Sequence, residues 1–461
     1  MTGKFAHIAL LVFLAASPAA AGGLPEPLGP EDFEPVDPAM ARIGQLLFYD
    51  KILSGNRNIS CGTCHHHDLG SADALSLGIG EGGSGIGHAR LAATVPEAPA
   101  IGTASRAATE VTADMPGAIR KRVPRNAPGL WNLGARQVRV MFHDGRLSRS
   151  QIYGNGFDSP AEEWLPSGLD TLLAAQALFP LIAQFEMAGN LAENEITGAV
   201  HDRPDAAWPL LAERVASIPE YRTLFAAARP ETARLGGLGI VDIAQALAAF
   251  IDSEWRSFDS PFDAFLAGDC AALGPLEMRG LGIFYGRGGC DSCHSGPLFS
   301  DQEFHALGLP QFGPGRTRRF DPMPRDTGRM AETDRLEDAY RFRTPMLRNV
   351  ALTAPYGHNG AYPTLRGILR HHADPRGARE RWTQALARLP HAPWLAAGDF
   401  AIMDDARERQ RHGMALDIAP VQLSASEIDA LEAFLGSLTE KDAATRPIGR
   451  PASVPSGLSV D

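Results

Sequence analysis

Cys61-Gly62-Thr63-Cys64-His65 and Cys290-Asp291-Ser292-Cys293-His294 are two copies of one pentad, Cys-x-x-Cys-His, set in the two halves of a 461-residue chain. Each can hold a haem covalently: two thiols add across the porphyrin vinyl groups and the adjacent histidine becomes an axial iron ligand. With five cysteines in the whole chain, four of them in this pattern, coincidence is a poor explanation. A thioredoxin-like redox pair does not carry a histidine twice over. A zinc ribbon places its second pair about 15–20 residues after the first, whereas these lie in different halves. The remaining cysteine, Cys270, reads as a small buried apolar residue.

The N-terminus agrees with an exported haem protein. Lys4 precedes the apolar run Ile8–Leu14, and Ala19-Ala20-Ala21 supplies small residues before a cut. This predicts a signal peptide over residues 1–21, cleaved near Ala21, and a periplasmic mature protein with no membrane span. The formal charge of −11 disfavours nucleic acid and anionic membrane as partners.

A weak internal repeat works outward from the pentads. Met40 to Tyr49 precedes the first, and Met278 to Tyr285 precedes the second. Asp37 and Pro38 form a helix start, followed by Ile43, Leu46 and Leu47 at helical spacing. Ile243, Leu247, Phe250 and Ile251 mark a helix from Val241 to Trp255. Ser424 and Glu427 form a capping box ahead of Ile428, Leu431, Phe434 and Leu435. Period-two alternation is scarce, while 35 prolines and 48 glycines imply much irregular chain. The expected fold is mainly α, with two cytochrome c-like haem domains in tandem and long irregular loops. The turn signals at Arg229-Pro230 and Gly236–Gly239 put the expected domains at 22–232 and 233–441, with an extended tail at 442–461. Gly80-Glu81-Gly82-Gly83-Ser84-Gly85 satisfies a dinucleotide fingerprint, but no strand precedes it and no βαβ unit follows, so it reads as a flexible glycine loop near the first haem.

Several blocks, in order along the chain, resemble the bacterial dihaem cytochrome c peroxidase superfamily, which includes MauG-type enzymes that oxidise proteins. They are Ile43–Asp50 with Leu53-Ser54-Gly55-Asn56; Arg125-Asn126-Ala127-Pro128; Phe142-His143-Asp144-Gly145-Arg146; Gln176-x3-Pro180-x5-Glu186-Met187; and Phe342 to Gly360. The resemblance implies two covalently bound haem c groups, a peroxide-reducing site at His65 and an electron-transfer haem at His294. It implies Glu186, with Gln176 and Pro180, on the distal side of the first haem, where a carboxylate can move a proton between the peroxide oxygens. It implies one calcium ion held by Asn126, Thr353 and Pro355, the oxygen donors calcium prefers. Electrons would come from a small cytochrome c or cupredoxin to reduce hydrogen peroxide, and a homodimer fits the family.

Three departures from the family pattern stand out. His372 falls where relatives carry a methionine or tyrosine ligand to the second haem, with His371 one register away. His143 replaces a tryptophan between the haems. The insertion at 88–122 offers His88 as a displaceable ligand of the first haem. The alternatives to a hydrogen peroxide reductase are therefore a MauG-like enzyme oxidising residues of a partner protein, and a non-catalytic dihaem electron carrier.

Overall fold

Helix α1, Pro38–Tyr49, starts where the sequence places a start. Asp37 is extended, and its carboxylate accepts the Ala39 N–H at 2.8 Å. Pro38 follows at a position where no amide hydrogen is needed. The apolar face of α1 meets helix α2, Ile240–Glu254, through Ile43, Leu47 and Phe48 on one side and Ile243, Leu247 and Phe250 on the other. Gly44 sets how closely they cross. A Cβ there would lie 1.8 Å from the Ala246 carbonyl oxygen and 2.8 Å from Phe250 Cβ, so only glycine allows this approach.

The second half repeats the device. Helix α3, Pro275–Phe284, crosses helix α4, Ala425–Gly436, whose capping box closes with the Glu427 carboxylate accepting the Ser424 N–H at 2.8 Å. A Cβ on Gly280 would lie 2.0 Å from the Ala430 carbonyl oxygen and 2.7 Å from Phe434 Cβ. In both halves the glycine of the helix before the pentad sits on an alanine that lies four residues ahead of a phenylalanine.

This computed structural model describes residues 23–92, 119–191, 193–230, 237–316 and 324–461. The expected signal peptide and most of the 88–122 insertion lie outside the described residues. Strands among the described residues are two or three residues long, in three small antiparallel sheets. No described helix is long and apolar enough to cross a membrane.

Among the described residues two large hydrophobic cores form, beside a small cluster of Ile79, Ala92, Ile119 and Ala392. One draws on residues 28–255 with Leu298 and Val454; the other draws on residues 262–438 with Leu77. The expected division at 232/233 would assign α2 to the second domain. Local turn signals suggested that division, but α2 lies beyond it and its apolar face is buried against α1, in the first core. The reading of Cys270 as buried is corrected: it is exposed, in the loop that follows the short helix Pro261–Leu266.

The tail after residue 441 is irregular and returns to the first core. Val454 is buried there, and the buried Glu254 carboxylate accepts the Ile448 and Gly449 N–H groups at 2.8 and 2.9 Å. Ser456 donates its hydroxyl to Asp50 at 2.6 Å. The Arg446 guanidinium lies 4.6 Å from the centre of the Trp131 ring.

Candidate functional site: a cavity joining both pentads

A cavity of about 1000 Å³ is lined by Cys61, Cys64 and His65 of one pentad and by Cys290, Cys293 and His294 of the other. The two histidines are held alike. His65 Nδ1 lies 3.0 Å from the Ser71 carbonyl oxygen, and His294 Nδ1 lies 2.9 Å from that of Phe299. A carbonyl can only accept, so Nδ1 carries the proton in both rings and Nε2 keeps its lone pair for a metal. All four pentad cysteines are free thiols. Arg343 also lines the cavity; burial pushes its pKa down to about 10, and its described hydrogen bonds go to the Phe142 and Thr344 carbonyls. A buried cation without a described carboxylate partner suits the acidic side groups of a porphyrin. Paired thiols, an oriented imidazole in each half and this arginine fit two thioether-linked haems.

Gln176, Pro180 and Glu186 come together on the cavity wall. Gln176 is near the end of the Leu172–Ala177 helix, Pro180 opens the short Phe179–Ile182 helix, and Glu186 sits in the single π-turn Gln184–Ala188. The glycine loop braces that turn. The Glu81 N–H donates to the Glu186 carbonyl at 2.8 Å, and a Cβ on Gly80 would lie 2.1 Å from the Phe185 carbonyl oxygen. The loop expected to be flexible is thus a fitted support for the glutamate. Burial raises the Glu186 pKa, opposed by the charges of Arg146 and Arg316, and it ends above the ordinary carboxylate value.

Those arginines belong to a buried ionic network that sequence reasoning did not foresee. Asp144 receives Arg125 at 2.6 Å, Arg146 at 3.1 Å and Arg316 at 2.9 Å. Arg125 also makes a two-point pair with Asp326, at 2.7 and 2.8 Å. The Arg146 guanidinium stacks 3.6 Å from the centre of the Phe142 ring. His143, beside Asp144, lines the cavity with Nε2 at 3.2 Å from the Asn126 carbonyl. Burial and the neighbouring charges of Arg125 and Arg343 push its pKa down to about 4, so it is a neutral imidazole at neutral pH.

On the second pentad's side, the structure separates the two adjacent histidines of the Leu365–Ala373 helix. His371 is buried with both ring nitrogens engaged, Nδ1 with the Tyr362 hydroxyl at 2.9 Å and Nε2 with the Leu307 carbonyl at 2.7 Å. His372 lines the cavity; its Nδ1 bonds the Ile368 carbonyl at 2.9 Å, one helical turn back, which leaves Nε2. His88 is not brought to the cavity. It is exposed in the short turn Gly87–Ala89, which Arg90 pins by bonding the Ile79, Gly80 and Gly85 carbonyls.

Asn126, Thr353 and Pro355 also line the cavity. The Asn126 side-chain amide donates to the Leu75 carbonyl at 2.7 Å, which fixes the other end of that amide as an oxygen acceptor. A neutral, oxygen-only set of one side-chain amide and two backbone carbonyls has the chemistry calcium takes.

Comparison with known proteins agrees with this geometry. A family profile described as di-haem cytochrome c peroxidase matches residues 38–271. The chain is 27% identical over 366 residues to the methylamine utilization protein MauG of Methylorubrum extorquens, covering 79% of this chain and 77% of that one. It is 30% identical over 388 residues to a cytochrome-c peroxidase of Denitromonas iodatirespirans, covering 78% and 80%. Its fold matches a MauG-like protein associated with microbial copper homeostasis, with a TM-score of 0.60 and 24% identity over 95% of this chain and 99% of that one. It also matches the diheme peroxidase BthA of Burkholderia thailandensis, with a TM-score of 0.52 and 24% identity over 93% and 95%. The chain belongs to the di-haem cytochrome c peroxidase family, whose members are oxidoreductases.

Proposed function

We propose that this chain is a periplasmic peroxidase that reduces hydrogen peroxide to water with electrons from a small cytochrome c or cupredoxin. Two cytochrome c-like domains would carry the work, one built on α1 and α2 and the other on α3 and α4. The peroxide site lies at His65 and electrons enter at His294. The observation that carries this reading is Glu186, a half-buried carboxyl on the wall of a cavity that also exposes Cys61, Cys64 and His65. A pure electron carrier, whose iron has two permanent ligands, has no use for a proton-transfer group there.

When bound at the first pentad, haem supplies an iron with an open coordination position and redox equivalents for O–O cleavage. The chain's residues do the rest. Glu186 takes the proton from one peroxide oxygen and returns it to the other, so that water rather than hydroxide leaves. Gln176 offers an amide to orient the peroxide, and Pro180 shapes the wall. Arg146 and Arg316 oppose the rise that burial gives the Glu186 pKa. At the second pentad His372, together with His294, would hold the iron of the second haem. Asn126, Thr353 and Pro355 would hold calcium.

A second reading has one specific support. Histidine in place of methionine at the second haem is expected to lower its potential, making that haem easier to oxidise further, as a MauG-like enzyme acting on a partner protein would need.

The test mixes half-reduced dihaem protein with hydrogen peroxide and follows oxidation of added reduced cytochrome c. Steady turnover is the expected result. A persistent oxidised state without turnover selects the MauG-like reading, and two haems inert to peroxide overturn both.

A further inference from the structure

Tyr49, the last residue of α1, is buried with its ring against the first pentad. A Cβ on Gly62, inside that pentad, would lie 2.5 Å from both Cδ1 and Cε1 of Tyr49. Glycine at this position is therefore what lets a phenol lie against the haem-attachment helix.

The phenol is not simply packed there. Its hydroxyl lies 2.9 Å from His67 Nδ1, and His67 Nε2 lies 3.1 Å from a carboxylate oxygen of Glu254. Glu254 is fully buried and is fixed by the Ile448 and Gly449 N–H groups. The directions follow from the end of the chain of bonds. A carboxylate accepts, so His67 Nε2 carries hydrogen; in that single-proton tautomer Nδ1 receives the Tyr49 O–H. Phe48, Phe250 and Trp255 surround the pair, with ring centres 5.2 Å and 6.3 Å from Tyr49 and 6.1 Å from His67 respectively. The tyrosine that precedes the other pentad, Tyr285, differs: its buried hydroxyl has no described partner.

A phenol gives up an electron readily only if its proton can leave at the same moment, and a fixed neutral imidazole backed by a carboxylate provides that exit. The geometry points to Tyr49 as a one-electron oxidation site that stores an oxidising equivalent delivered by hydrogen peroxide at the first pentad. This inference rests on the peroxidase reading. Reducing hydrogen peroxide to two waters takes two electrons and two solvent protons. One electron comes from the Tyr49 ring and the other from the donor protein through the second half. As Tyr49 is oxidised its O–H bond opens and the proton crosses to His67 Nδ1, leaving a neutral phenoxyl radical beside an imidazolium held by Glu254. A later electron from the donor, with the proton returning from His67, restores the phenol.

The experiment mixes the half-reduced dihaem protein, whose second half already holds the donor's electron, with hydrogen peroxide, freezes it quickly and examines it by electron paramagnetic resonance. The expected signal is an organic radical whose splitting collapses when the protein is made with ring-deuterated tyrosine. It is lost in Tyr49→Phe and kept in Tyr221→Phe, which alters the other buried tyrosine of the same core. Glu254→Gln is a second variant, expected to shorten the radical's lifetime several-fold. Haem content, measured as the pyridine complex, is required to be two per chain in every sample compared. A tyrosyl signal undiminished in Tyr49→Phe overturns the proposal, as does the absence of any radical when peroxide alters the haem spectrum. If peroxide leaves that spectrum unchanged in the wild type, the peroxidase reading falls, and this inference with it.

Discussion

Gly280 presses its α-carbon so close to the Ala430 carbonyl oxygen that a Cβ would stand 2.0 Å from it, and Gly44 stands in the same relation to Ala246 in the first half. Each contact fixes the crossing of the two helices that wall a pentad. Gly280→Ala is expected to lower unfolding stability by about 1–3 kcal/mol, because backbone must move to admit the methyl group. Gly44→Ala should do the same in the other core. Denaturant midpoints of the two variants check this, with Gly282→Ala, where a Cβ meets nothing within 4 Å, as the neutral control.

Glu186→Gln should reduce peroxide turnover by about 10²-fold or more while both haems stay attached. Because burial holds the Glu186 pKa above its ordinary value, the acid limb of kcat/KM should lie at higher pH than a free glutamate would give. The sign for Arg146→Gln follows. Removing a positive neighbour disfavours the carboxylate further, so the limb should move to still higher pH. A pH profile of the variant checks the direction.

Asp326→Asn leaves the buried Arg125 guanidinium short of one of its two carboxylate partners, and is expected to cost about 3–5 kcal/mol of stability. Burial opposes ionisation of Asp326, but the charge and hydrogen bonds of Arg125 outweigh it and hold its pKa below the usual value. A carboxyl lowered on folding stabilises above its unfolded pKa, and that contribution disappears as pH falls through the folded value. The wild-type advantage over Asp326→Asn should therefore be full at neutral pH and shrink in acid, as seen by thermal melts across pH.

His372→Met should raise the reduction potential of one haem and leave the other unchanged. His371→Met should leave both potentials in place and lower stability instead, since the bonds to Tyr362 and Leu307 are lost. Spectroelectrochemical titration together with melting curves separates the two.

The features legible in the sequence are those set by neighbours along the chain. The pentads, the Asp37 start, the Ser424 capping box and the spacing of Gln176, Pro180 and Glu186 all sit within a few residues of their own explanation. What could not be read joins distant segments: Arg125 finds Asp326 across 201 positions, and Glu254 finds Ile448 across 194. The packing of α2 on α1, across the expected division at 232/233, is of the same kind. Glycines near Gly237 announce a turn, but nothing local says that α2 returns to Gly44. His88 was suggested by the resemblance, in which some relatives use a loop histidine, and the hydrogen bonds of Arg90 that pin its segment carry no sequence signature.

The return of the tail to the first core has a bearing on how the molecule is made. The chain is synthesised from its N-terminus, so Cys61 and Cys64 emerge long before Ile448, Gly449 and Val454, the segment that completes the half around them. Any machinery that loads the first pigment before synthesis ends therefore works on an unfinished half. That half gains its full core only when the final stretch of polypeptide settles against it.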